Sequence, residues 1–220
     1  LDYYSIKLEN QVGEIDSDYL MRTYADCRLG TDIRGNPVDG GSPSCSHFMG
    51  LISRDESSLG NGKVDRYSAY PVNQSMIRTD GFDVTWKYAL DTDRRGKFSF
   101  QANYTHVTKL DLQRFADDEV ENIRDDRRYF NFRSRANWMV GWEKNDWQTN
   151  LYGYRYGSLP SWDESTRIAP YFLWNLDVQK KITPKATIGV SVVNVFDNLH
   201  PRDDSYTSYP YFWRAYSPVG

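Results

Sequence analysis

The sequence predicts an all-β fold, a partial antiparallel up-and-down transmembrane β-barrel with one short helix in an extracellular loop. Three observations support this prediction: apolar residues recur at every second position, short connections alternate with long ones, and aromatic residues are abundant in a hydrophilic chain. Aromatic residues make up 15% of the 220 residues, whereas the mean hydropathy is -0.73. A barrel wall has such a composition because its lumen face is polar, its lipid face is apolar and its rims carry aromatic girdles.

The alternation is visible in six segments. Side chains on a strand point to opposite faces in turn, so each segment has one apolar face for lipid and one polar face for a water-lined lumen. A slip of one residue would invert every strand. The six apolar rows are Tyr4, Ile6, Leu8; Phe82, Val84, Trp86, Tyr88, Leu90; Phe98, Phe100, Ala102, Tyr104; Ala136, Trp138, Val140, Trp142; Phe172, Trp174, Leu176, Val178; and Ile188, Val190, Val192.

The connections between these segments differ in length in a regular way. Outer-membrane barrels have short periplasmic turns and long extracellular loops, whereas a soluble β-sandwich has no reason to segregate its loop lengths to one end. The short connections are 91–96, 143–146 and 183–185, and the long ones are 106–130, 157–170 and 197–210.

One long stretch breaks the strand pattern. Residues Asp16–Asp26 predict a short helix with Asp16 or Ser17 as N-cap. It leads into Cys27, and Cys45 follows after a Gly/Ser/Pro-rich segment. A bridge between the two cysteines would stabilise the fold by roughly 3 kcal/mol and would indicate an oxidising compartment; two free thiols are the alternative. No metal site is predicted, because the cysteines lack the paired spacing of zinc ligands.

Three polar or aromatic loop segments are candidate sites. The acidic segment 117–128 has carboxylates for Ca²⁺ or a cationic ligand, or it is a solvated loop with interleaved arginines. Segment 201–213 turns from acidic to aromatic, so its rings could stack on sugar or siderophore rings, or they form an interfacial girdle. Trp162 and Asp163 could contact ligand or pack within their own loop. The candidate ligand-binding residues are Trp162, Asp163, Tyr206, Tyr209 and Trp213.

Nothing in the sequence predicts catalysis. His47, His106 and His200 all fall in or beside predicted loops, and no serine-hydrolase, zinc-protease or phosphate-loop motif is present. The net charge of -3 gives no basic field for nucleic acid. We therefore expect no enzyme activity, no cofactor and no nucleic-acid partner.

Several phrases resemble the TonB-dependent outer-membrane receptors, in the order in which that family has them. The segment DYYSIKLENQVG (2–13) is similar to a common strand of the family, and NQSMIRTDGFDVTWKY (73–88) is similar to another. The cysteine pair followed by LISRD (51–55) resembles a proteobacterial Cys-loop type. The phrase IGVSVVNVFDNLHP (188–201) resembles the penultimate strand with its Asn-Val-Phe-Asp-Asn motif, and is the most specific match.

The resemblance implies that residues 1–220 are the C-terminal portion of a receptor barrel, with the plug, the early strands and the last strand absent from this chain. It implies a bacterial outer-membrane location and energy-coupled uptake of a saccharide or an iron–siderophore. The implied partners are outer-membrane lipid, a small-molecule ligand, the remaining barrel segments, and TonB–ExbB–ExbD through a plug domain not in this chain. A secreted, soluble β-rich carbohydrate-binding module is the alternative function.

Overall fold

The computed structural model describes residues 1–15, 17–32, 35–57, 62–68, 71–116, 118–126, 131–206 and 216, with the backbone alone at Val72 and Gln74. The elements in chain order are β1 (Asp2–Glu14), α1 (Ser17–Leu29), α2 (Pro43–Leu51), β2 (Ile52–Asp55), β3 (Lys63–Tyr67), β4 (Pro71–Thr92), β5 (Gly96–Gln113), β6 (Glu121–Asn122), β7 (Ser134–Lys144), β8 (Trp147–Tyr156), β9 (Leu159–Pro160), β10 (Arg167–Ile168), β11 (Tyr171–Thr183) and β12 (Ala186–Val192).

The chain divides into two compact units. The sheet unit comprises Leu1–Ile6, Thr79–Leu110 and Asn122–Gly220. The disulfide unit comprises Lys7–Arg78 and Asp111–Glu121, and so contains both helices, β2, β3 and the ends of three long strands.

Within the described residues, eight strands form one sheet in the order β1-β4-β5-β7-β8-β11-β12, with β6 paired to β5. The pairings from β5 to β12 are antiparallel between chain neighbours, as in an up-and-down wall. Turns of two or three residues join β4 to β5, β7 to β8 and β11 to β12, whereas β5 to β7 and β8 to β11 have long connections. The predicted alternation is confirmed for these connections, but residues 106–113, which were predicted as loop, continue β5.

The strand registers of β5, β7, β11 and β12 place their predicted apolar rows on one face of the sheet. Phe100 is the direct partner of Val140, and Trp174 is the direct partner of Gly153. Directly opposed residues share a face, so the row continues from strand to strand without inversion. This face is exposed in the structure: Trp86 is 54% and Val190 61% accessible. The rows are therefore not the core of a compact soluble domain.

Close packing on this face depends on a glycine. A Cβ atom on Gly153 would lie 2.1 Å from the indole of Trp138. Without a side chain there, the Trp138 ring lies across β8 and meets Trp174 edge-on with centroids 5.0 Å apart. Edge-to-face contact is a preferred geometry for a pair of aromatic rings.

The opposite face carries a ladder of polar side chains. Asn103 Nδ2 donates to Asn137 Oδ1 at 2.9 Å, and Thr105 Oγ1 donates to Asp83 Oδ1 at 2.6 Å. On β11, Asp177 accepts a hydrogen bond from Ser191 Oγ at 2.7 Å. These cross-strand bonds satisfy polar groups that would otherwise need water. The predicted polar row is confirmed.

In β1, Tyr4 departs from the predicted face. A Cβ atom on Gly81 would lie 2.4 Å from the Tyr4 hydroxyl oxygen, so the Tyr4 ring extends over this glycine. The next residue is Ser5, whose Oγ donates to Asp80 Oδ1 at 2.6 Å. Because Gly81 has the same parity as Asp83, Tyr4 lies on the polar face, where the missing side chain leaves it room.

The disulfide unit has an ordinary buried core. Helix α1 confirms the predicted helix, although Asp16 lies outside the described residues. Helix α2 was not predicted; Ser42 Oγ caps it by accepting from the Cys45 amide at 3.2 Å, and Pro43 occupies its first turn. The core of the unit consists of Ile15, Tyr19, Leu20, Tyr24, Phe48, Leu51 and Ile52, with Val64 and Phe115 packed against it.

The Asn-Val-Phe-Asp-Asn phrase forms a turn that follows β12. Asn194 and Asp197 have positive φ angles of 53° and 52°, a conformation that Asn and Asp adopt more readily than most residues. The Asn194 side chain accepts from the Asn198 amide at 2.9 Å, and Val195 N donates to Trp174 O at 2.8 Å. The phrase thus folds the chain back against β11.

Candidate functional site

A small hairpin organises the long connection between β8 and β11. Strand β9 pairs antiparallel with β10, and Ser161 closes the tip by exchanging backbone and side-chain hydrogen bonds with Thr166. The hairpin presents Trp162 and Asp163 at its tip, two of the predicted ligand-binding residues.

The Asp163 carboxylate is held by hydroxyl groups within its own turn. Ser161 Oγ donates to Asp163 Oδ1 at 2.7 Å, and Ser165 Oγ donates to both carboxylate oxygens at 2.8 and 2.9 Å. These bonds favour the charged form, so they lower the pKa of Asp163 to about 2. The carboxylate is a turn-forming group whose lone pairs are largely committed.

A buried carboxylate joins this hairpin to the segment after β12. Asp203 Oδ2 accepts from the Trp162 amide at 2.8 Å, while Asp203 Oδ1 accepts from Ser205 Oγ at 2.6 Å and Ser205 N at 3.0 Å. The side chain is almost fully buried. Asp203 therefore fixes two chain segments that are far apart in sequence, and it was not singled out in the sequence.

This junction brings Trp162 and Tyr206 together. Their ring centroids are 4.9 Å apart with planes at 55°, and Trp162 remains 38% exposed. Both rings are half-exposed, and exposed aromatic rings can stack on the rings of a ligand. Of the predicted residues, Trp162, Asp163 and Tyr206 are thus adjacent, while Tyr209 and Trp213 lie outside the described residues.

An aromatic cluster packs against β9 and β10 and supports the hairpin. Tyr216 stacks on His200 at 5.3 Å and meets Tyr171 edge-on at 5.1 Å. Burial raises the pKa of Tyr216 well above its usual range. The cluster consists of Phe132, Leu159, Ile168, Tyr171, Leu173 and Tyr216.

The acidic loop between β5 and β7 contains a carboxylate surrounded by arginines. Asp125 accepts from Arg133 Nε at 2.5 Å, from Arg124 Nη2 at 2.9 Å and from Arg167 Nη1 at 3.3 Å. Burial alone would raise the pKa of Asp125, but the bonds from Arg133 and Arg124 lower it to about 2. Since Arg167 is in β10, Asp125 ties the acidic loop to the hairpin. Of the alternatives for this loop, the interleaved arginines describe Asp125 better than a cation site does.

The disulfide unit holds its own network. Cys27 and Cys45 are bonded, with Cα atoms 5.5 Å apart. Tyr19 donates its hydroxyl proton to Asp118 Oδ2 at 2.8 Å, and the Arg114 guanidinium lies 3.8 Å from the Tyr19 ring centroid. Burial, followed by the Asp118 charge, raises the pKa of Tyr19. The predicted disulfide is confirmed.

Neither a metal cluster nor a helical membrane span is found in the described part of the chain. No three His, Cys, Asp or Glu side chains there are grouped to hold a metal ion. No helix among those residues is both long enough and apolar enough to cross a membrane.

Comparison with known proteins gives a consistent family assignment. A family model described as the β-barrel of TonB-dependent receptor-like proteins matches residues 2–195. A crystal structure of a mutant ferric enterobactin receptor from Pseudomonas aeruginosa is similar to the fold, with a TM-score of 0.51 and 14% sequence identity. The similarity covers 91% of this chain and 24% of that chain. No curated protein gives a significant match.

The family match extends over both units and includes the sheet with its exposed apolar face. The long strands, the short turns and the polar ladder agree with it. This chain belongs to the TonB-dependent receptor β-barrel family, whose members lie in the bacterial outer membrane.

Proposed function

We propose that this chain forms barrel wall and extracellular loops of an outer-membrane protein for the TonB-dependent uptake of a scarce extracellular nutrient. Residues 1–220 would be the C-terminal portion of the barrel, and the plug, the early strands and the last strand would be supplied by the rest of the same polypeptide. Two findings support the proposal: the family match over residues 2–195 and the apolar outer face of the sheet. A secreted, soluble carbohydrate-binding module would have to expose that apolar face to water.

The partners follow from this role. Lipid contacts the apolar face, and TonB–ExbB–ExbD acts through a plug domain that is not in this chain. The chain contributes binding surface and scaffold, with no chemical step and no cofactor. Proton-motive force is therefore required for uptake but not for binding.

The single observation that carries a ligand site is the Trp162–Tyr206 pair. Its rings are 4.9 Å apart and Asp203 holds the two segments together. A flat ring face suits the apolar face of a sugar and also the aromatic groups of a siderophore. The proposed ligand is a saccharide or an iron–siderophore, and the two are separated by experiment.

The test uses the intact receptor and titrates it separately with oligosaccharides and with ferric siderophores. For the ligand that binds, we expect Trp162→Ala to weaken affinity about tenfold, a loss of about 1.4 kcal/mol, and Trp162→Phe to restore most of it. Tyr67→Ala, which removes an exposed aromatic residue from β3, is the matched control. Equal affinity of Trp162→Ala and wild type would remove this residue from the ligand site.

A second measurement tests energy coupling. A protonophore is expected to abolish ligand accumulation in cells and to leave surface binding unchanged. Accumulation that persists after the proton-motive force is dissipated would contradict TonB-dependent uptake, whatever the result at Trp162.

A further inference from the structure

The lipid-facing row changes from apolar to basic at the short-turn end of the sheet. Trp147 begins β8 directly after the two-residue turn, and its direct partner in β7 is Lys144. Its direct partner in β11 is Lys180. Because directly opposed residues share a face, one tryptophan lies between two lysines at the same level of the wall.

All three residues lie on the face that meets lipid. The register pairs Leu151 with both Val140 and Leu176 on the apolar face, and Trp147 has the same parity in β8 as Leu151. Each of the three side chains is exposed. The short turns of an outer-membrane barrel are periplasmic, so this level of the wall meets the headgroups of the periplasmic leaflet.

The contacts position the two ammonium groups. Lys180 Nζ lies 4.7 Å from the Trp147 ring centroid, within cation–π distance. Lys144 Nζ donates to the carbonyl oxygen of Arg94 at 2.7 Å, which places it beside the turn between β4 and β5. The next residue of that turn, Arg95, accepts a bond from Trp142 Nε1 at 2.8 Å.

The acidic residues of the same strand ends occupy the other face. Glu143 is the direct partner of Lys97, and Lys97 Nζ lies 3.7 Å from Asp91 Oδ2. All three are at odd positions, on the side of the polar ladder, while Asp93 and Asp146 lie in the turns themselves. The lipid face at this level therefore presents basic and aromatic groups.

We propose that Lys144, Trp147 and Lys180 form a binding site for the phosphate-bearing headgroup of an anionic phospholipid. An ammonium group donates up to three hydrogen bonds to phosphate oxygens, and tryptophan is favoured at the headgroup level because its ring is apolar and its N–H is polar. Lys144 and Lys180 lie on the two strands that flank β8, at the same level of the wall as Trp147, so both ammonium groups lie at one level of the headgroup layer. The site is independent of the transported ligand and requires the outer-membrane location alone.

The experiment measures lipids retained by the intact receptor. The protein is extracted from nanodiscs of equal parts phosphatidylglycerol and phosphatidylcholine, and bound lipids are counted by native mass spectrometry. Wild type is expected to retain phosphatidylglycerol preferentially. Each lysine near a membrane surface changes the affinity for anionic lipid about fivefold, so Lys144→Gln/Lys180→Gln should lose most of this preference. The matched control is Lys97→Gln/Lys181→Gln, with the same charge change on the opposite face.

Five outcomes decide the proposal. Loss of preference in the lipid-face variant but not in the control supports it, and so does a smaller loss in Trp147→Ala. Equal loss in both double variants would show a general charge effect and overturn the proposal. Equal retention of the two lipids by wild type would also overturn it, and this measurement does not depend on the folding of any variant. Displacement of phosphatidylglycerol by an equimolar amount of inorganic phosphate would assign the site to free phosphate and also overturn it.

Discussion

The two units of this chain use the same kinds of side chain in opposite ways. In the disulfide unit, Phe48 is 0% exposed and packs edge-on against Tyr19 with centroids 5.6 Å apart. In the sheet unit, Trp86 and Tyr88 stack on each other at 6.1 Å and remain exposed. The helical core of the first unit buries Phe48 from water, and strand β4 of the second presents Trp86 and Tyr88 to hydrocarbon. The exposure of an aromatic residue therefore depends on which solvent that part of the molecule meets, and exposure alone does not indicate a binding site.

The largest expected effect concerns the buried aromatic core of the disulfide unit. Phe48→Ala should destabilise the disulfide unit by about 3–5 kcal/mol, because it removes a fully buried ring and leaves a cavity. Hydrogen exchange of the intact receptor is the measurement, with faster exchange expected in α1 and α2. Met49→Ala, the adjacent exposed position at 42% accessibility, should change exchange little; similar effects at both positions would mean that this core does not hold the unit together.

Reduction of the Cys27–Cys45 bond should have the next largest effect. The bond links residues that are 18 positions apart. Reducing it should lower the stability of the fold by about 3 kcal/mol, because the unfolded chain gains conformational entropy when a loop of that length is opened. Dithiothreitol should therefore raise exchange in the disulfide unit. The strands β7, β8 and β11 are the internal control, because none of their residues belongs to that unit; a parallel rise there would contradict a local role for the bond.

The third prediction concerns the exposed apolar face of the sheet. Val190→Arg should destabilise the receptor in lipid vesicles by about 2–4 kcal/mol, because it moves a charge into the hydrocarbon region. Leu29→Arg, also an exposed apolar position, should cost about 0.5 kcal/mol or less, because it meets water at the C-terminal end of α1. Urea unfolding in vesicles measures both. Equal costs would show that the two exposed surfaces meet the same solvent.

The smallest expected effect concerns the Asp125 cluster. The folded pKa of about 2 lies below the ordinary 3.8, so the cluster contributes stability above pH 3.8 that is lost as the pH falls through about 2. Asp125→Asn should therefore lower the thermal midpoint at pH 5 and converge with wild type near pH 2. Asp204→Asn, an exposed carboxylate, is the control. A difference between wild type and Asp125→Asn that stays constant with pH would contradict the assigned ionic network.

The main sheet was predictable from sequence because one physical rule repeats along it. Alternation and turn length identified β4, β5, β7, β11 and β12, and their registers keep one apolar face. Strand β8 has a weaker alternation, since its lipid-facing row includes Thr149, Gly153 and Arg155. The small side chain at Gly153 makes room for a tryptophan of the neighbouring strand, which is a property of the pair and cannot be recognised from one strand.

The rest of the fold depended on local or long-range contacts. Helix α2 had readable signals in Ser42 and Pro43, but the many glycines before it favoured a loop. Tyr4 took the polar face because of Gly81, more than seventy positions away.

The site residues also divide into those that residue type and loop position identify and those that depend on long-range contacts. Trp162, Asp163 and Tyr206 were identified by residue type and loop position, and the structure places them together. Asp203 could have been found, because it and Asp163 each lie two positions before a serine, which is a common turn pattern. The bond from Arg167 to Asp125 could not, because the two residues lie 42 positions apart.

The most direct test of the account is the solvent contacted by successive residues of β12. Single cysteines at 187–191 of the intact receptor can carry spin labels, because both cysteines of residues 1–220 are in the disulfide. In lipid bilayers, labels at Ile188 and Val190 should be relaxed by oxygen, and labels at Thr187, Gly189 and Ser191 by a water-soluble nickel complex. Nickel access at the even positions, or no alternation with period two, would contradict a sheet that faces lipid on one side and water on the other.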